Sequence, residues 1–221
     1  ISKAKDHRVS PDAFCKHFGR DVRNEQIAKI YARYDSALRE ANALDFDDMI
    51  LKTVELFENH PEILAKYAGR FRYIMVDEYQ DTNPLQYRLV ALLASKFGNI
   101  CVVGDDDQSI YGWRGAIVEN ILEFDTEFPN AKVYKLERNY RSTKKILQLA
   151  NCIIANNTER REKELWTDNA DGVKIETFVG TDENNEATYT ALQIKSLMSR
   201  NSALKYSDFA VFMRINALSR A

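Results

Sequence analysis

Asp77 and Glu78 stand side by side at the end of an apolar run, in the stretch Arg72-Tyr-Ile-Met-Val-Asp-Glu-Tyr-Gln-Asp81. A short continuous apolar run is the signature of a buried parallel strand, and ligands of open α/β sheets gather beyond the carboxyl ends of such strands. One carboxylate placed there can hold Mg²⁺ directly or through water, while its neighbour accepts a proton from a water attacking a terminal phosphate. The plainer alternative is an acidic turn after a core strand.

A second constellation follows one strand later. Ile100-Cys-Val-Val103 runs into Gly104-Asp-Asp-Asp-Gln-Ser-Ile-Tyr-Gly-Trp-Arg-Gly-Ala116, so a strand again ends in polar residues at the same sheet edge. Gly104 permits a tight turn, and Gln108 offers an uncharged donor and acceptor that can sense a phosphate or a water without competing for a metal. Tyr111, Trp113 and Arg114 add two aromatic faces and a guanidinium separated by small residues. Base stacking on such faces is worth roughly 1–3 kcal/mol per base and tolerates any sequence, which fits a platform for single strands. A Trp packed in the core beside a snorkelling Arg is the competing reading, against which the two flanking glycines argue for an exposed loop.

The third constellation is Lys135-Leu-Glu-Arg-Asn-Tyr-Arg-Ser-Thr143, after a strand-like Ala131 to Leu136 and before a periodic helix. Ser142 or Thr143 can cap that helix, whose Ile146, Leu149, Ala150, Ile153 and Ile154 share one face. Tyr140 and Arg141 then project from a strand-to-helix junction, where an aromatic can stack on adenine and a guanidinium can neutralise charge on a γ-phosphate. Taken alone, the same run also fits a solvated surface.

In order and together, the three stretches closely resemble motifs of the UvrD/Rep/PcrA group of superfamily 1 DNA helicases. Val76-Asp-Glu-Tyr-Gln-Asp-Thr-Asn83 resembles motif II, Val103 to Ala116 motif III, and Leu136 to Thr143 motif IV. Leu44-Asp-Phe-Asp-Asp-Met49 resembles the segment that returns into the first motor domain. Phe212-Met-Arg-Ile-Asn-Ala-Leu-Ser-Arg220 departs from the family pattern, Met213, Ile215 and Leu218 being less polar than expected. The resemblance implies Asp77 for Mg²⁺, Glu78 as general base and Gln108 at the γ-phosphate or attacking water. It implies Tyr111, Trp113 and Arg114 in the single-stranded DNA groove, Tyr140 on adenine and Arg141 at the γ-phosphate. It further implies an ATP-dependent helicase moving 3′ to 5′ on single-stranded DNA and unwinding duplex, in repair or replication. Two other classes compete: a non-catalytic DNA-binding or scaffold fragment, and a nuclease in which Asp77, Glu78 and Asp105 to Asp107 hold two metals.

No Gly-x-x-x-x-Gly-Lys-Ser/Thr phosphate loop occurs in the 221 residues. The expectation is an internal segment of a larger protein that by itself does not turn over ATP. Net charge is −2, so no global basic field recruits nucleic acid, and DNA binding must come from stacking and a few local cations. Three widely spaced cysteines, Cys15, Cys101 and Cys152, argue against a disulfide framework and for a reducing, cytoplasmic compartment. His7, Cys15 and His17 match no common zinc spacing.

To position these residues the chain must alternate strands and helices. Residues 1 to 19 read as polar and irregular, with a helix start at Ser10-Pro11-Asp12. An amphipathic helix is predicted over Val22 to Ala43, with Ile27, Ile30, Tyr31, Tyr34, Leu38 and Ala41 in one stripe. A second helix follows Asp45-Phe46-Asp47, with Ile50, Val54 and Phe57 inward, and Asn83-Pro84 opens a third. Strands at Val173 to Val179 and Phe209 to Met213 bracket a helix from Asn184 to Met198. The expected fold is α/β, with parts of two RecA-like motor domains of P-loop NTPase type built on parallel sheets flanked by helices. The expected division is a helical segment at 1–44, the C-terminal half of the first motor domain at 45–135 and the N-terminal half of the second at 136–221. Unpaired sheet edges would invite self-association.

Overall fold

The computed structural model describes residues 1–213, and the positions from Arg214 to Arg220 noted above lie outside them. The chain divides into two compact units, Ile1–Asn139 with Ala150–Trp166, and Tyr140–Leu149 with the residues from Thr167 onward.

The first unit opens with two short helices, α1 (Ser2–Asp6) and α2 (Phe14–Phe18), where the sequence reading expected irregular chain. Ala4, Val9 and Phe14 give this segment enough apolar surface to bury against Tyr31 of α3 (Val22–Glu40), and that burial orders it. Pro11–Ala13 form a turn and helix α2 starts only at Phe14, later than Ser10-Pro11-Asp12 suggested. The α3 stripe is narrower than its periodicity predicts: Tyr31 is buried and Ile27 packs beside it, but Ile30 is 60% exposed. Helix α4 (Phe46–Asn59) is capped by Asp45, whose carboxylate accepts the Asp48 N–H at 2.8 Å. The same carboxylate takes the buried Lys5 ammonium at 2.6 Å and the Tyr34 hydroxyl at 2.9 Å, which ties α1 and α3 to the start of α4.

Helices α4, α5 (Pro61–Arg70) and α6 (Pro84–Ala94) enclose the main core of Leu51, Val54, Phe57, Leu85 and Leu92. Each fully buried aliphatic side chain there contributes about 1.5–3 kcal/mol. Asn83 makes the predicted cap of α6 as a reciprocal capping box with Gln86, and Pro84 occupies the first turn, where its missing N–H costs nothing. Helix α6 is the crossover of a strand–helix–strand unit: β1 (Ile74–Val76) and β2 (Ile100–Val102) pair in parallel, Ile74 opposite Ile100 and Val76 opposite Val102. Short helices α7 (Glu119–Leu122) and α8 (Phe124–Glu127) follow. Among the described residues this two-stranded sheet is the only one, and no helix is long and apolar enough to cross a membrane.

Three expected strands are therefore corrected. Ala131 to Leu136, Val173 to Val179 and Phe209 to Met213 are irregular, apart from an isolated parallel bridge between Arg138 and Trp166. Alternating apolar residues become a strand only when a neighbour completes the hydrogen-bond ladder. No described residue does so for these runs, and Leu136, Val173 and Val179 are more than four-fifths exposed.

In the second unit the helices form at the expected places, α9 (Lys144–Ile154), within which the partition falls, and α10 (Glu183–Arg200), capped by Asp182. On α9 it is Leu147 that is buried, while Ile146, Leu149 and Ile153 of the predicted inward face are exposed.

Tyr79, next to the carboxylate pair, is completely buried and edge-on to Phe124, with ring centroids 5.7 Å apart. Its hydroxyl has no hydrogen-bond partner, and burial, aided by the Glu127 carboxylate, pushes the phenol up to about 12. Tyr79→Phe removes an unsatisfied polar atom while keeping the ring. Urea unfolding of the 221-residue chain should show it unchanged or about 1 kcal/mol more stable. A clear loss of stability would mean that the hydroxyl has a partner.

Candidate functional site

The carboxyl ends of β1 and β2 lie side by side, because the strands run parallel and in register. Asp77 and Glu78 leave β1, and Val103 to Gln108 leave β2, at the same edge. Two backbone bonds stitch the exits together: Val103 N–H donates to the Val76 carbonyl at 2.8 Å and Tyr79 N–H to the Val103 carbonyl at 3.0 Å.

Glu78 adopts left-handed backbone geometry, with φ 50° and ψ 42°. For a residue with a long side chain this costs on the order of 1–3 kcal/mol and persists only where the surroundings impose it. Here the Glu78 N–H is held by Asp77 Oδ1 at 2.9 Å, its carbonyl accepts the Asp81 N–H at 2.9 Å, and its Oε2 accepts Gln80 Nε2 at 2.8 Å. Both Asp77 and Glu78 remain exposed, facing an open cleft of about 600 Å³ shared with Asp105 and Gln108.

Gln80, which sequence reasoning did not single out, is 1% exposed. Beyond its bond to Glu78, its Oε1 accepts the Asp105 N–H at 3.0 Å and its backbone carbonyl accepts the Ser109 hydroxyl at 3.2 Å. Gly104 packs tightly beside it: a Cβ there would clash with Gln80 Oε1 and come within 2.8 Å of Ile121 Cδ1, so both side chains would have to shift. Gln108 lies on a short helical turn, Asp106–Gln108, and donates from Nε2 to Asp105 Oδ2 at 2.6 Å. Asp81 carries one buried carboxylate oxygen without a hydrogen-bond partner, and burial together with the Glu78 charge raises its pKa.

The acids of this loop are already paired with protein cations. Asp105, Asp106 and Asp107 approach one another closely enough to share an ion, but the Lys163 ammonium sits 2.8, 2.6 and 3.0 Å from them in turn. Arg160 adds a two-pronged bond to Asp107, both contacts at 2.8 Å, and the Arg161 N–H donates to Asp106 at 2.8 Å. Burial alone would lower the Lys163 pKa, but the three carboxylates outweigh it and raise it, and the Arg160 guanidinium in turn lowers that of Asp107. The basic run at 160–163 was legible only as a partner for the acidic run at 105–107, more than fifty residues away in the sequence. Asp77 and Glu78 do not join this acidic cluster among the described residues.

Tyr111, Trp113 and Arg114 form one exposed surface. Trp113 is 70% exposed in this chain. The Arg114 guanidinium carbon lies 4.6 Å from the Trp113 ring centroid and 5.1 Å from that of Tyr111, so one cation bridges two aromatic faces. Gly115, at φ 89°, ends the turn in a conformation that L residues rarely adopt.

Tyr140 and Arg141 lie in the second unit, both exposed, with the Tyr140 ring 75% so. Asn169 Nδ2 donates to the carbonyls of Tyr140, at 3.3 Å, and Ser142, at 3.0 Å, shaping the turn that leads into α9. Lys144 and Lys145, at the first turn of α9, donate their N–H groups to the carbonyls of Ala170 and Asp171.

A family model described as the UvrD/REP helicase N-terminal domain matches residues 1–129, and one described as the UvrD-like helicase C-terminal domain matches residues 134–221. The ATP-dependent DNA helicase PcrA of Staphylococcus epidermidis (strain ATCC 35984) is 49% identical over 220 residues, covering 100% of this chain and 30% of that protein. PcrA of Staphylococcus aureus (strain Mu50) is 48% identical over the same length and shares. The chain thus spans about a third of the length of these relatives.

Proposed function

The chain belongs to the UvrD/REP helicase family, and on that premise we propose that it is a segment of an ATP-dependent DNA helicase that moves 3′ to 5′ on single-stranded DNA and unwinds duplex, in repair or replication in the cytoplasm. The observation that carries this reading is the junction of β1 and β2. Two exposed carboxylates and a loop ending in an amide and an aromatic platform leave adjacent strands at one edge and are hydrogen-bonded to each other.

In this reading Glu78 accepts the proton of the attacking water and Gln108 contacts that water or the γ-phosphate. Asp77 fits a hydrated Mg²⁺, because it is exposed at the sheet edge and only one of its carboxylate oxygens is spent on the Glu78 N–H. Bound there, Mg²⁺ supplies charge against the phosphate oxygens. Tyr111, Trp113 and Arg114 stack and neutralise single-stranded DNA, Tyr140 stacks on adenine and Arg141 reaches the γ-phosphate. The architecture we infer is parts of two RecA-like motor domains, 45–135 and 136–221, preceded by a helical segment at 1–44, with exposed sheet edges able to pair with another copy.

The test uses the full-length protein, Mg²⁺ and labelled duplexes carrying a 3′ or a 5′ single-stranded tail. Strand separation that needs ATP and the 3′ tail supports the proposal. Cleavage of DNA without ATP would replace it with the nuclease reading. The 221-residue chain alone lacks the phosphate loop whose backbone N–H groups and Lys hold phosphates. Calorimetric titration of the chain with an ATP analogue and Mg²⁺ should show no micromolar binding, and tight binding would mean that the nucleotide site does not depend on such a loop.

A further inference from the structure

We propose that Gln80 is a positioning residue that couples the candidate base Glu78 to the loop carrying Gln108 and the Trp113 platform; this rests on the reading of Glu78 as base. Three side chains and Asp105, reached through its backbone N–H and left through its carboxylate, form one hydrogen-bonded relay. Glu78 Oε2 accepts from Gln80 Nε2 at 2.8 Å, Gln80 Oε1 accepts the Asp105 N–H at 3.0 Å, and Asp105 Oδ2 accepts from Gln108 Nε2 at 2.6 Å. The relay starts at the group that would deprotonate water and ends at the group that would sense the phosphate. Its middle member is the buried one, at 1% exposure.

The partners fix which way the Gln80 amide points. Turned over, it would set its oxygen against the Glu78 carboxylate and its NH₂ against the Asp105 N–H, two repulsive pairs in place of two bonds. A shift of the Asp105 backbone therefore cannot be absorbed by an amide flip and must pass to the Glu78 carboxylate or break a bond. Gly104 leaves room for the amide, since a Cβ at 104 would clash with Gln80 Oε1. Ser109, on the same loop, holds the Gln80 carbonyl at 3.2 Å, so main chain and side chain of Gln80 both follow the loop. Relief of strain at Glu78 is opposed by the same bond, since Gln80 Nε2 pins the carboxylate of a residue held at φ 50°.

A merely structural Gln80 would affect how much protein folds, but not how folded protein responds to DNA. The ratio of ATPase rates with and without single-stranded DNA does not depend on the folded fraction and is the deciding measurement. In the full-length protein, Gln80→Met should lower the DNA-stimulated kcat by roughly 10- to 100-fold, the scale of a small misplacement of a catalytic group. KM for ATP should stay within about twofold, and the stimulation ratio should fall toward 1. Gly104→Ala, which keeps Gln80 but displaces its amide, should reproduce the pattern, and it decides the matter should Gln80→Met fail to fold. A kcat within about twofold of wild type with an unchanged stimulation ratio in the folded variants overturns the proposal. Glu78→Gln, measured alongside, separates the two readings. If it hydrolyses normally, the base assignment falls and this inference with it; if it is crippled while Gln80→Met and Gly104→Ala are silent, only the relay is wrong.

Discussion

Glu78→Gln in the full-length protein is expected to bind ATP nearly as well as the wild type and to hydrolyse it on the order of 10²-fold more slowly, or worse. The substitution is nearly isosteric, and the glutamine oxygen can still accept the 2.8 Å bond from Gln80 Nε2. The left-handed backbone at 78 is also no harder for Gln than for Glu. What disappears is the ability to take a proton. Asp77→Ala is the matching control: it removes the acceptor that holds the Glu78 N–H as well as the proposed Mg²⁺ contact, so nucleotide binding should weaken and lose its Mg²⁺ dependence. Steady-state ATPase and fluorescent-nucleotide titration check both. Hydrolysis by Glu78→Gln within a few-fold of wild type would mean that another group is the base.

Trp113→Ala should lose roughly 1–3 kcal/mol of single-strand affinity, with little dependence on base sequence. The ring is 70% exposed, so its loss creates no core cavity, and any effect is one of recognition. Arg114 makes the loss larger than one ring's worth, because its guanidinium rests 4.6 Å from Trp113 and would be released from one of its two aromatic supports. The loop continues without a break from Gln108 to Trp113, so DNA-stimulated ATPase should fall more than basal ATPase. Fluorescence anisotropy with labelled oligonucleotides of mixed and single-base sequence is the check. Unchanged affinity for all of them would remove Trp113 from the DNA surface.

What could be read from the sequence is what local chemistry determines. Asn83-Pro84 caps a helix wherever it leads an apolar run, and Ile74–Val76 followed by Asp77 ends a strand in acid irrespective of the rest of the fold. The exposure of Trp113 followed from the glycines on either side of it. What was missed depends on partners distant in sequence. The runs at 131–136 and 173–179 alternate correctly for strands, yet a ladder needs a neighbour that their own pattern cannot provide. Gln80 was not singled out because its bond to Asp105 spans 25 residues of sequence. Lys163 and Arg160 carry no signal of their own in the sequence for the same reason. Burial of α1 was invisible for another cause: Lys5 looks polar in one dimension, and only the two carboxylates of Asp45 and Asp48 make its burial tolerable.

The Lys163 cluster also makes its acids and its cation unequal to lose. One ammonium serves three carboxylates, so an Asp at 105, 106 or 107 can be lost while the cation keeps its other partners. Losing the cation costs unevenly: Asp107 keeps the Arg160 guanidinium and Asp106 keeps the Arg161 N–H, whereas Asp105 loses its charged partner. Asp105 is also the acid that accepts from Gln108 Nε2, so the turn that presents Gln108 is the part of the cluster that depends most on Lys163.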